Sequence, residues 1–488
     1  MRDSAQLTFK ILATLALILG SFMIPCVFAA VFYGELACAK PFFTCSLLYI
    51  CFGLIVKNLM KTKNVDLLVR QSYVVVILCW VFCILLGLLP MYCSGQGYSF
   101  MTCLFESVSS ITTTGCTAID LNLLPKSLLL WRSIINWLGG MGILVLLISI
   151  FPMWGISNQA LANAEMPGAK LDKMVTSYSH IGKFLYKTYL IFTACQFLLL
   201  YLGPLDGFTA LITSFSVIST SGVPVTADTS AMFQSGYVKA VLTAFTFLSS
   251  INYVAYFVII KGKVSSAAKY YELKVYVSLI LIFTGIVTLT LRFMGGYDSI
   301  LDALGDSICQ VVAFNSTLGY AFVDYNSWPS AAIMILCLAM LCGGCTFSTS
   351  GSLKIIRVTV LFKVIKRGLM KQIHPNIVSP VIVNKRVIPA KVVSGITSFA
   401  LLFFGIYILL CVLLSISGYD IETVMTTTLG MLSNTGLSMG LPGCSGNFAI
   451  FNGFGKGVLC FAMLAGRLEM YALLILFSKS FWRPNKTR

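Results

Sequence analysis

The sequence has very little charge. Only 10% of its 488 residues are Asp, Glu, Lys or Arg, whereas soluble proteins average about 25%. Acidic residues are the scarcest, with 17 against 34 basic ones. The mean hydropathy of +0.90 points the same way. These values exclude a soluble globular protein and place most of the chain in a lipid bilayer.

Residues that perform chemistry at neutral pH are also scarce. The chain has two histidines, His180 and His374, without the cysteine–histidine spacing of a zinc site. It has no Walker sequence and no G-x-G-x-x-G between a strand and a helix. The stretch GFGKG (453–457) has the wrong spacing. We therefore expect no enzyme activity, and no cofactor or nucleotide bound by this chain.

Long apolar runs, in contrast, are abundant. About 20 apolar residues in a helix span a bilayer, and ten runs approach or exceed that length. The second and eighth are short enough to be tilted or broken. The runs cover residues 11–33, 41–56, 73–92, 128–151, 184–202, 238–260, 275–294, 331–342, 392–416 and 458–477. The pattern predicts an all-α polytopic membrane protein with about ten spans.

The charge distribution orients these spans. Lys and Arg concentrate in the segments that are inside when both termini are cytoplasmic, and acidic residues in the outer ones. This topology argues against nucleic acid as a partner, and an acidic outer face attracts cations. The first run could instead be a signal peptide, because Arg2 and Lys10 precede it and VFAA (27–30) ends in small residues. We prefer a span, since the run continues to Tyr33.

Cysteine is plentiful, with 17 residues. Most lie in the apolar runs, where cysteine acts as a small apolar residue. Five lie near the outer side, so a disulfide among them is possible, although the pairing cannot be read from the sequence. They are Cys38, Cys45, Cys93, Cys103 and Cys444.

A short polar stretch with a glycine occurs four times, roughly one hundred residues apart. Each copy follows a long apolar run and a half-helix too short to cross the bilayer, and another run follows it. The copies are ITTTGCT with Gly115, ISTSGVP with Gly222, FNSTLGYAF with Gly319 and LSNTGLSMG with Gly436. We predict a two-helix prefix (1–68) and four helix–pore loop–helix units (69–155, 180–262, 270–368 and 388–482) around one central pore.

The physical chemistry of such stretches indicates a cation pathway. Non-helical backbone at membrane depth is tolerated only where it is buried in protein or lines a watery cavity. Backbone carbonyls can replace the water shell of a cation, and glycine allows the strands to approach one axis. The half-helices would direct their partly negative C-terminal ends at the pore. Each stretch is thus predicted to form one quarter of a potassium-type selectivity filter.

This fourfold pattern resembles the Trk/Ktr/HKT superfamily of potassium transporters, and within it the TrkH-type membrane subunits of the bacterial Trk system. Three further stretches carry the resemblance: WRSIINWLGGMGILVL (131–146), LCGGCTFSTSGSLKIIR (341–357) and LAGRLEMYALLILF (464–477). The resemblance covers nearly the whole chain. It implies a bacterial cytoplasmic (inner) membrane location and potassium as the transported ion.

The resemblance also implies which residues contact potassium. The four glycines complete the filter, and glycine at all four positions goes with potassium preference in this superfamily. Ions are expected to contact, mainly through backbone oxygens, Thr113, Thr114, Thr220, Ser221, Thr317, Leu318, Asn434 and Thr435. Leu318, and Val223 with Pro224 after Gly222, depart from the usual pattern, which leaves the degree of selectivity over sodium open.

The eighth run ends in CGGCTFSTSGS (342–352), through which a helix does not continue comfortably. A plain loop after a short helix is one interpretation. The resemblance implies an intramembrane gating loop below the filter. Its pliable or pore-facing members are predicted to be Gly343, Gly344, Ser348, Ser350 and Gly351.

Arg467 lies inside the last run, where a charge is costly and faces a cavity or a partner. It either holds helices together or, as the resemblance implies, lies in the pore beneath the filter and pairs with the gating loop.

The segment 352–391 carries nine basic residues. Positive-inside anchoring explains most of them. The resemblance implies a dock for cytoplasmic TrkA-type nucleotide-binding regulatory subunits, on which the membrane chains form homodimers. We expect gated passive potassium uptake. The alternative is a symporter coupled to sodium or protons, although the apolar runs contain no carboxylate besides Glu469 that could relay protons.

Overall fold

The structure is a computed structural model. It describes residues 2–60, 69–142, 178–225, 233–260, 262, 270–377, 379–384, 386–444 and 447–482. Within these residues the chain is almost entirely helical. The only strands there, β1 (Ile382–Val383) and β2 (Arg386–Val387), form a two-stranded antiparallel hairpin. The predicted all-α fold is confirmed.

The prefix is a pair of packed helices, α1 (Arg2–Phe32) and α2 (Leu36–Leu59). Small residues set their close approach: the Ser46 hydroxyl donates to the Gly20 carbonyl at 2.8 Å. A Cβ on Gly53 would lie 2.7 Å from the Ala13 carbonyl oxygen. Such contacts are typical of helices that associate within a membrane.

Each of the four following units has three helices, which we name the outer helix, the pore helix (after its predicted role) and the inner helix. The outer helices are α3 (Val69–Tyr92), α6 (Tyr178–Tyr201), α10 (Tyr271–Met294) and α14 (Ala390–Ser415). The pore helices are α4 (Phe100–Ile111), α7 (Gly207–Ile218), α11 (Ile300–Asn315) and α15 (Ile421–Leu432). The inner helices are α5 (Lys126–Gly140), α8 (Gly236–Ser249), α12 (Ser330–Cys342) and α16 (Gly453–Arg467).

The remaining helices follow the inner helices. They are α9 (Tyr253–Ile260), α13 (Ile355–Ile373), α17 (Tyr471–Ile475) and α18 (Lys479–Trp482), with single 3-10 turns at Tyr325–Ser327 and Phe448–Ile450. Separately from these helix names, we call the side of the molecule where the pore helices have their N-termini the outer side, and the opposite side the inner side.

Six helices of the described chain are long and apolar enough to cross a membrane: α1, α2, α3, α6, α10 and α14. They correspond to the two apolar runs of the prefix and to the four runs that form the outer helices. The four runs that correspond to the inner helices, called the inner runs below, do not each form one long helix. The prediction of unbroken spans over 238–260 and 458–477 is wrong, because α8 and α9 meet at 90° and positive φ at Glu469 and Met470 separates α16 from α17.

The other two inner runs stand as follows. The expected interruption after Cys342 is present, since α13 begins only at Ile355. The fourth run is helical to Gly140, and its part beyond residue 142 lies outside the described residues. Three inner runs are therefore broken on the inner side of the pore helices.

A polar side chain caps the N-terminus of every pore helix. The first N–H groups of a helix lack intrahelical acceptors, and Ser or Asp supplies one. The Ser99 hydroxyl accepts a hydrogen bond from the Thr102 N–H at 3.2 Å, and the Ser299 hydroxyl accepts one from the Asp302 N–H at 3.4 Å. The Asp206 carboxylate accepts from the N–H groups of Phe208 and Thr209 at 3.1 and 3.2 Å, and the Asp420 carboxylate accepts from the Thr423 N–H at 2.9 Å. The caps anchor the outer ends of the pore helices.

We predict that Asp420→Ala destabilises the protein by about 1 kcal/mol, the typical value of such a cap, measured as a lower thermal midpoint in detergent. The backbone hydrogen bond from Thr423 lowers the pKa of the Asp420 carboxyl. This stabilisation is therefore present above the unfolded pKa of about 4 and is lost as the pH falls through the lower folded value. Asp420→Asn keeps an acceptor without the charge and should lose this pH dependence. An unchanged midpoint for Asp420→Ala would contradict the assignment.

Candidate functional site

The four glycine stretches share one backbone conformation. Their glycines have φ of +80° (Gly115), +61° (Gly222), +80° (Gly319) and +74° (Gly436). The residues two positions earlier also have positive φ: +56° at Thr113, +51° at Thr220, +58° at Thr317 and +56° at Asn434. Non-glycine residues rarely adopt this region. Four different sequences are thus held in the same unusual shape.

The stretches form a closed ring. A Cβ added to Gly115 would lie 1.5 Å from the carbonyl oxygen of Ser221, in the second stretch. The next contacts run from Gly222 to Leu318 (2.1 Å), from Gly319 to Thr435 (1.9 Å) and from Gly436 back to Thr114 (2.0 Å). Each glycine therefore abuts the backbone of the next repeat, and no side chain fits at any of the four positions.

In each stretch the N–H groups of the two residues before the glycine are paired to the pore helix behind them. The residue before each glycine donates to a carbonyl near the end of its pore helix: Thr114 to Ser109 (2.9 Å), Ser221 to Ser216 (2.9 Å), Leu318 to Ala313 (2.9 Å) and Thr435 to Gly430 (2.8 Å). These bonds fix the strands and leave their carbonyl oxygens available.

Within the part of the chain that the structure describes, no donor reaches the carbonyl oxygens of the eight predicted contact residues. These are Thr113, Thr114, Thr220, Ser221, Thr317, Leu318, Asn434 and Thr435, each at most 1% exposed. Buried carbonyls are normally paired. A ring of unpaired carbonyl oxygens is a site that can coordinate a dehydrated cation.

Hydroxyl groups at the pore-helix ends support the strands. Thr112 and Thr114 share a hydrogen bond of 2.9 Å, and so do Ser433 and Thr435 at 2.8 Å. The Ser219 hydroxyl donates to that of Ser221 at 3.0 Å. In the third repeat Leu318 has no hydroxyl, and Ser316 accepts its backbone N–H instead at 3.2 Å. The leucine therefore leaves the shared backbone shape intact. Sequence reasoning missed these helix-end residues, although each lies three positions before its glycine.

The segment between α12 and α13 lies against the inner end of the ring. The Gly351 N–H donates to the Thr317 hydroxyl at 2.8 Å. A Cβ on Gly351 would lie 2.3 Å from the Ser433 carbonyl oxygen. The segment is held at the break between α8 and α9, because Cys345 N–H donates to the Ser250 carbonyl at 3.0 Å. It thus contacts the second, third and fourth repeats.

The five predicted members of this loop lie together. The hydroxyls of Ser348 and Ser350 are 2.6 Å apart. A Cβ on Gly344 would lie 2.3 Å from the Ser350 hydroxyl, and one on Gly343 would lie 2.8 Å from the Gly351 carbonyl. The loop is a compact turn whose close packing requires these glycines.

Arg467, at the end of α16, joins the loop to the first repeat. Its guanidinium donates to the Thr349 carbonyl at 3.3 Å, and to the carbonyls of Gly139 and of Gly140, the latter at 3.1 Å. Glu469 does not pair with it in these contacts. That carboxylate instead forms ion pairs with Lys354 (3.6 Å) and Arg357, where the loop enters α13. Charged side chains at and just beyond the end of α16 therefore hold the loop in place.

Sequence reasoning also missed a fully buried ion pair, Glu106 with Arg132, next to the first stretch. The signal was available, because Arg132 lies inside an apolar run as Arg467 does. Among the described residues no cluster of three or more His, Cys, Asp or Glu could hold a metal ion. The cysteines are free thiols, so the disulfide left open by the sequence is not formed.

Comparison with known proteins gives one consistent result. The family model TrkH, described as "Cation transport protein", matches residues 39–485. The Trk system potassium uptake protein TrkH of Salmonella typhimurium is 31% identical over 430 residues, covering 87% of this chain and 88% of its own length. The Trk system potassium uptake protein TrkG of Escherichia coli K12 is 30% identical over 468 residues, covering 94% and 95%.

A solved structure is also similar. The crystal structure of the potassium transporter TrkH from Vibrio parahaemolyticus superposes with a TM-score of 0.85 at 26% identity, covering 97% of this chain and 99% of that one. The similarity therefore extends over both the prefix and all four repeats.

We predict that Gly222→Ala destabilises the protein far more than Gly296→Ala. Both glycines have positive φ, but a Cβ on Gly222 would meet the Leu318 carbonyl at 2.1 Å, while nothing lies within 4 Å of one on Gly296. Gly296→Ala should cost only the backbone strain, about 1 kcal/mol. Thermal unfolding in detergent measures both, and equal shifts would contradict a backbone contact at Gly222.

Proposed function

The chain belongs to the TrkH family of cation transport proteins, and from this premise we propose that it takes up potassium across the bacterial cytoplasmic membrane through the ring of four glycine stretches. The closed ring of unpaired, buried carbonyl oxygens carries the proposal. Potassium is the ion named for the similar uptake proteins.

The filter we propose consists of the residues at and before each glycine. Their carbonyls replace the water shell of the ion, so that dehydration is offset at each step along the axis. Sodium is smaller, so carbonyls held at a fixed distance by the backbone contacts between repeats compensate less of its dehydration. The residues are Thr113, Thr114, Gly115, Thr220, Ser221, Gly222, Thr317, Leu318, Gly319, Asn434, Thr435 and Gly436.

The gate we propose is the loop below this ring together with Arg467. Gly351 contacts the first filter residue of the third repeat, so the loop stands in the way of an ion that leaves the filter. The guanidinium adds a positive charge there, which repels cations. Opening requires the contacts from Arg467 to Thr349, Gly139 and Gly140 to break. Gly343, Gly344, Ser348, Ser350 and Gly351 then supply the flexibility.

The partners we propose are a second copy of the chain and cytoplasmic TrkA-type nucleotide-binding subunits. Helix α13 supports the latter, because it begins directly after the loop and presents both basic and exposed apolar side chains. Phe362 and Leu369 are 68% and 62% exposed, and Lys366 and Lys371 are also exposed. A protein that binds this helix acts directly on the loop that precedes it.

We predict that purified protein in proteoliposomes takes up rubidium-86 without a sodium or proton gradient, with competition by potassium but not by sodium. Gly115→Asp should abolish this flux, because its side chain cannot fit against Ser221. Gly296→Asp is the matched control at an open glycine and should conduct normally. A requirement for a sodium or proton gradient would favour a symporter. Normal flux through a folded Gly115→Asp protein would refute the filter.

We predict that Arg467→Ala raises the same flux by about tenfold, because hydrogen bonds from a charged donor that hold the loop closed are lost. Arg292→Ala is the control, since Arg292 contacts only the outer-side carbonyl of Tyr297 among its described bonds. Unchanged or lower flux in correctly folded Arg467→Ala protein would contradict the gate.

A further inference from the structure

A buried ion pair lies behind the first quarter of the ring. Glu106 of α4 and Arg132 of α5 approach within 2.8 Å and are 0% and 1% exposed. Removing two charges from water is costly, and either charge alone at this place is far costlier than the pair. Both residues must therefore be considered together.

The pair holds the backbone that directly follows Gly115. A Glu106 oxygen accepts hydrogen bonds from the Ala118 N–H at 2.6 Å and from the Thr117 hydroxyl at 2.8 Å. The Arg132 guanidinium donates to the Cys116 carbonyl at 3.4 Å. The carboxylate thus holds the third residue after the glycine, and the guanidinium holds the first.

In the third repeat one neutral side chain performs both tasks. Gln310 lies nine residues before Gly319, as Glu106 lies nine before Gly115. Its amide nitrogen donates to the Tyr320 carbonyl at 3.1 Å, and its oxygen accepts from the Phe322 N–H at 3.0 Å. These are again the first and third residues after the glycine.

The position of Arg132 also has a counterpart. Arg132 is the seventh residue of α5, and the seventh residue of α12 is Leu336, which is fully buried. The third repeat therefore pairs a glutamine with a leucine where the first pairs a glutamate with an arginine. Within one molecule, a charged pair and a neutral pair thus hold equivalent backbone segments.

We propose that Glu106 and Arg132 are positioning residues that set the outer end of the first filter stretch and thereby its preference for potassium over sodium. This inference rests on the proposed filter. Selectivity depends on where the carbonyl oxygens lie and on how firmly they are held. Cys116, Thr117 and Ala118 continue directly from Gly115, so a shift of this segment moves the Gly115 carbonyl.

The test compares rubidium-86 flux, and its competition by potassium and by sodium, in proteoliposomes of wild type and three variants. Glu106→Gln and Arg132→Leu each leave one buried charge unpaired, and each should reduce the discrimination against sodium by about tenfold. The double variant reproduces the arrangement of the third repeat, since the introduced side-chain amide can bond to both Cys116 and Ala118. It should recover discrimination to within about threefold of wild type.

A matched control uses another ion pair of a pore helix. Asp306 of α11 pairs with Lys239 at 3.1 Å, is partly exposed, and has no described bond to the residues after Gly319. Asp306→Asn should keep wild-type discrimination. If the single charge variants do not fold, Thr117→Val removes one bond to Glu106 without changing charge, and it should shift discrimination in the same direction by a smaller factor.

Recovery in the double variant supports a positioning role, because damage to packing alone would add up rather than cancel. Wild-type discrimination in folded single variants, or a double variant no better than the singles, would overturn the inference while wild-type flux still supports the filter. Absence of potassium-competed flux in wild type would overturn the filter itself, and this inference with it.

Discussion

The contact between each glycine and the carbonyl of the next repeat is the constraint on which the rest of the structure depends. Four strands can approach this closely only without side chains at the contact, and only with two positive φ angles in each strand. Such backbone forms no regular ladder. The N–H groups of the two residues before each glycine are satisfied by the pore-helix ends, which is why each strand needs a short helix behind it. The pore helices in turn need polar caps at their outer ends.

The same constraint explains the inner helices. Close glycine contacts bring two of these helices, α5 and α16, against the ends of their pore helices: a Cβ on Gly139 would lie 2.1 Å from the Ile111 carbonyl, and one on Gly466 would lie 2.2 Å from that of Leu432. The inner helices of the second, third and fourth repeats end at Ser249, Cys342 and Arg467, short of the full apolar runs or at a polar interruption. The breaks leave backbone carbonyls, such as that of Ser250, free to hold the loop of the third repeat. The loop of the third repeat is thus held directly by the second and fourth repeats, and Arg467 links it to the first.

Much of this could be predicted from the sequence, for physical reasons. The recurrence of Gly115, Gly222, Gly319 and Gly436 indicated the four repeats, because a glycine required by geometry has no substitute. The breaks at 250–252 and 468–470 could not be predicted, since the segments on both sides of each break are apolar as a whole and helical. Tertiary contacts decide where such helices end. The Glu106–Arg132 pair could not be predicted as a pair, because its two residues lie in different helices and only the fold brings them together.

The ring is built from one chain rather than from four identical subunits, and this has a genetic consequence. A mutation in a homotetrameric pore alters all four quarters at once, whereas here it alters one. The residue before the glycine is Thr114, Ser221, Leu318 or Thr435 in the four quarters. The side chains that hold the backbone after the glycine are a charged pair in the first quarter and a neutral glutamine in the third. Each quarter can therefore diverge separately, and natural variation can change the ring one quarter at a time, which for the proposed filter means small steps in ion preference.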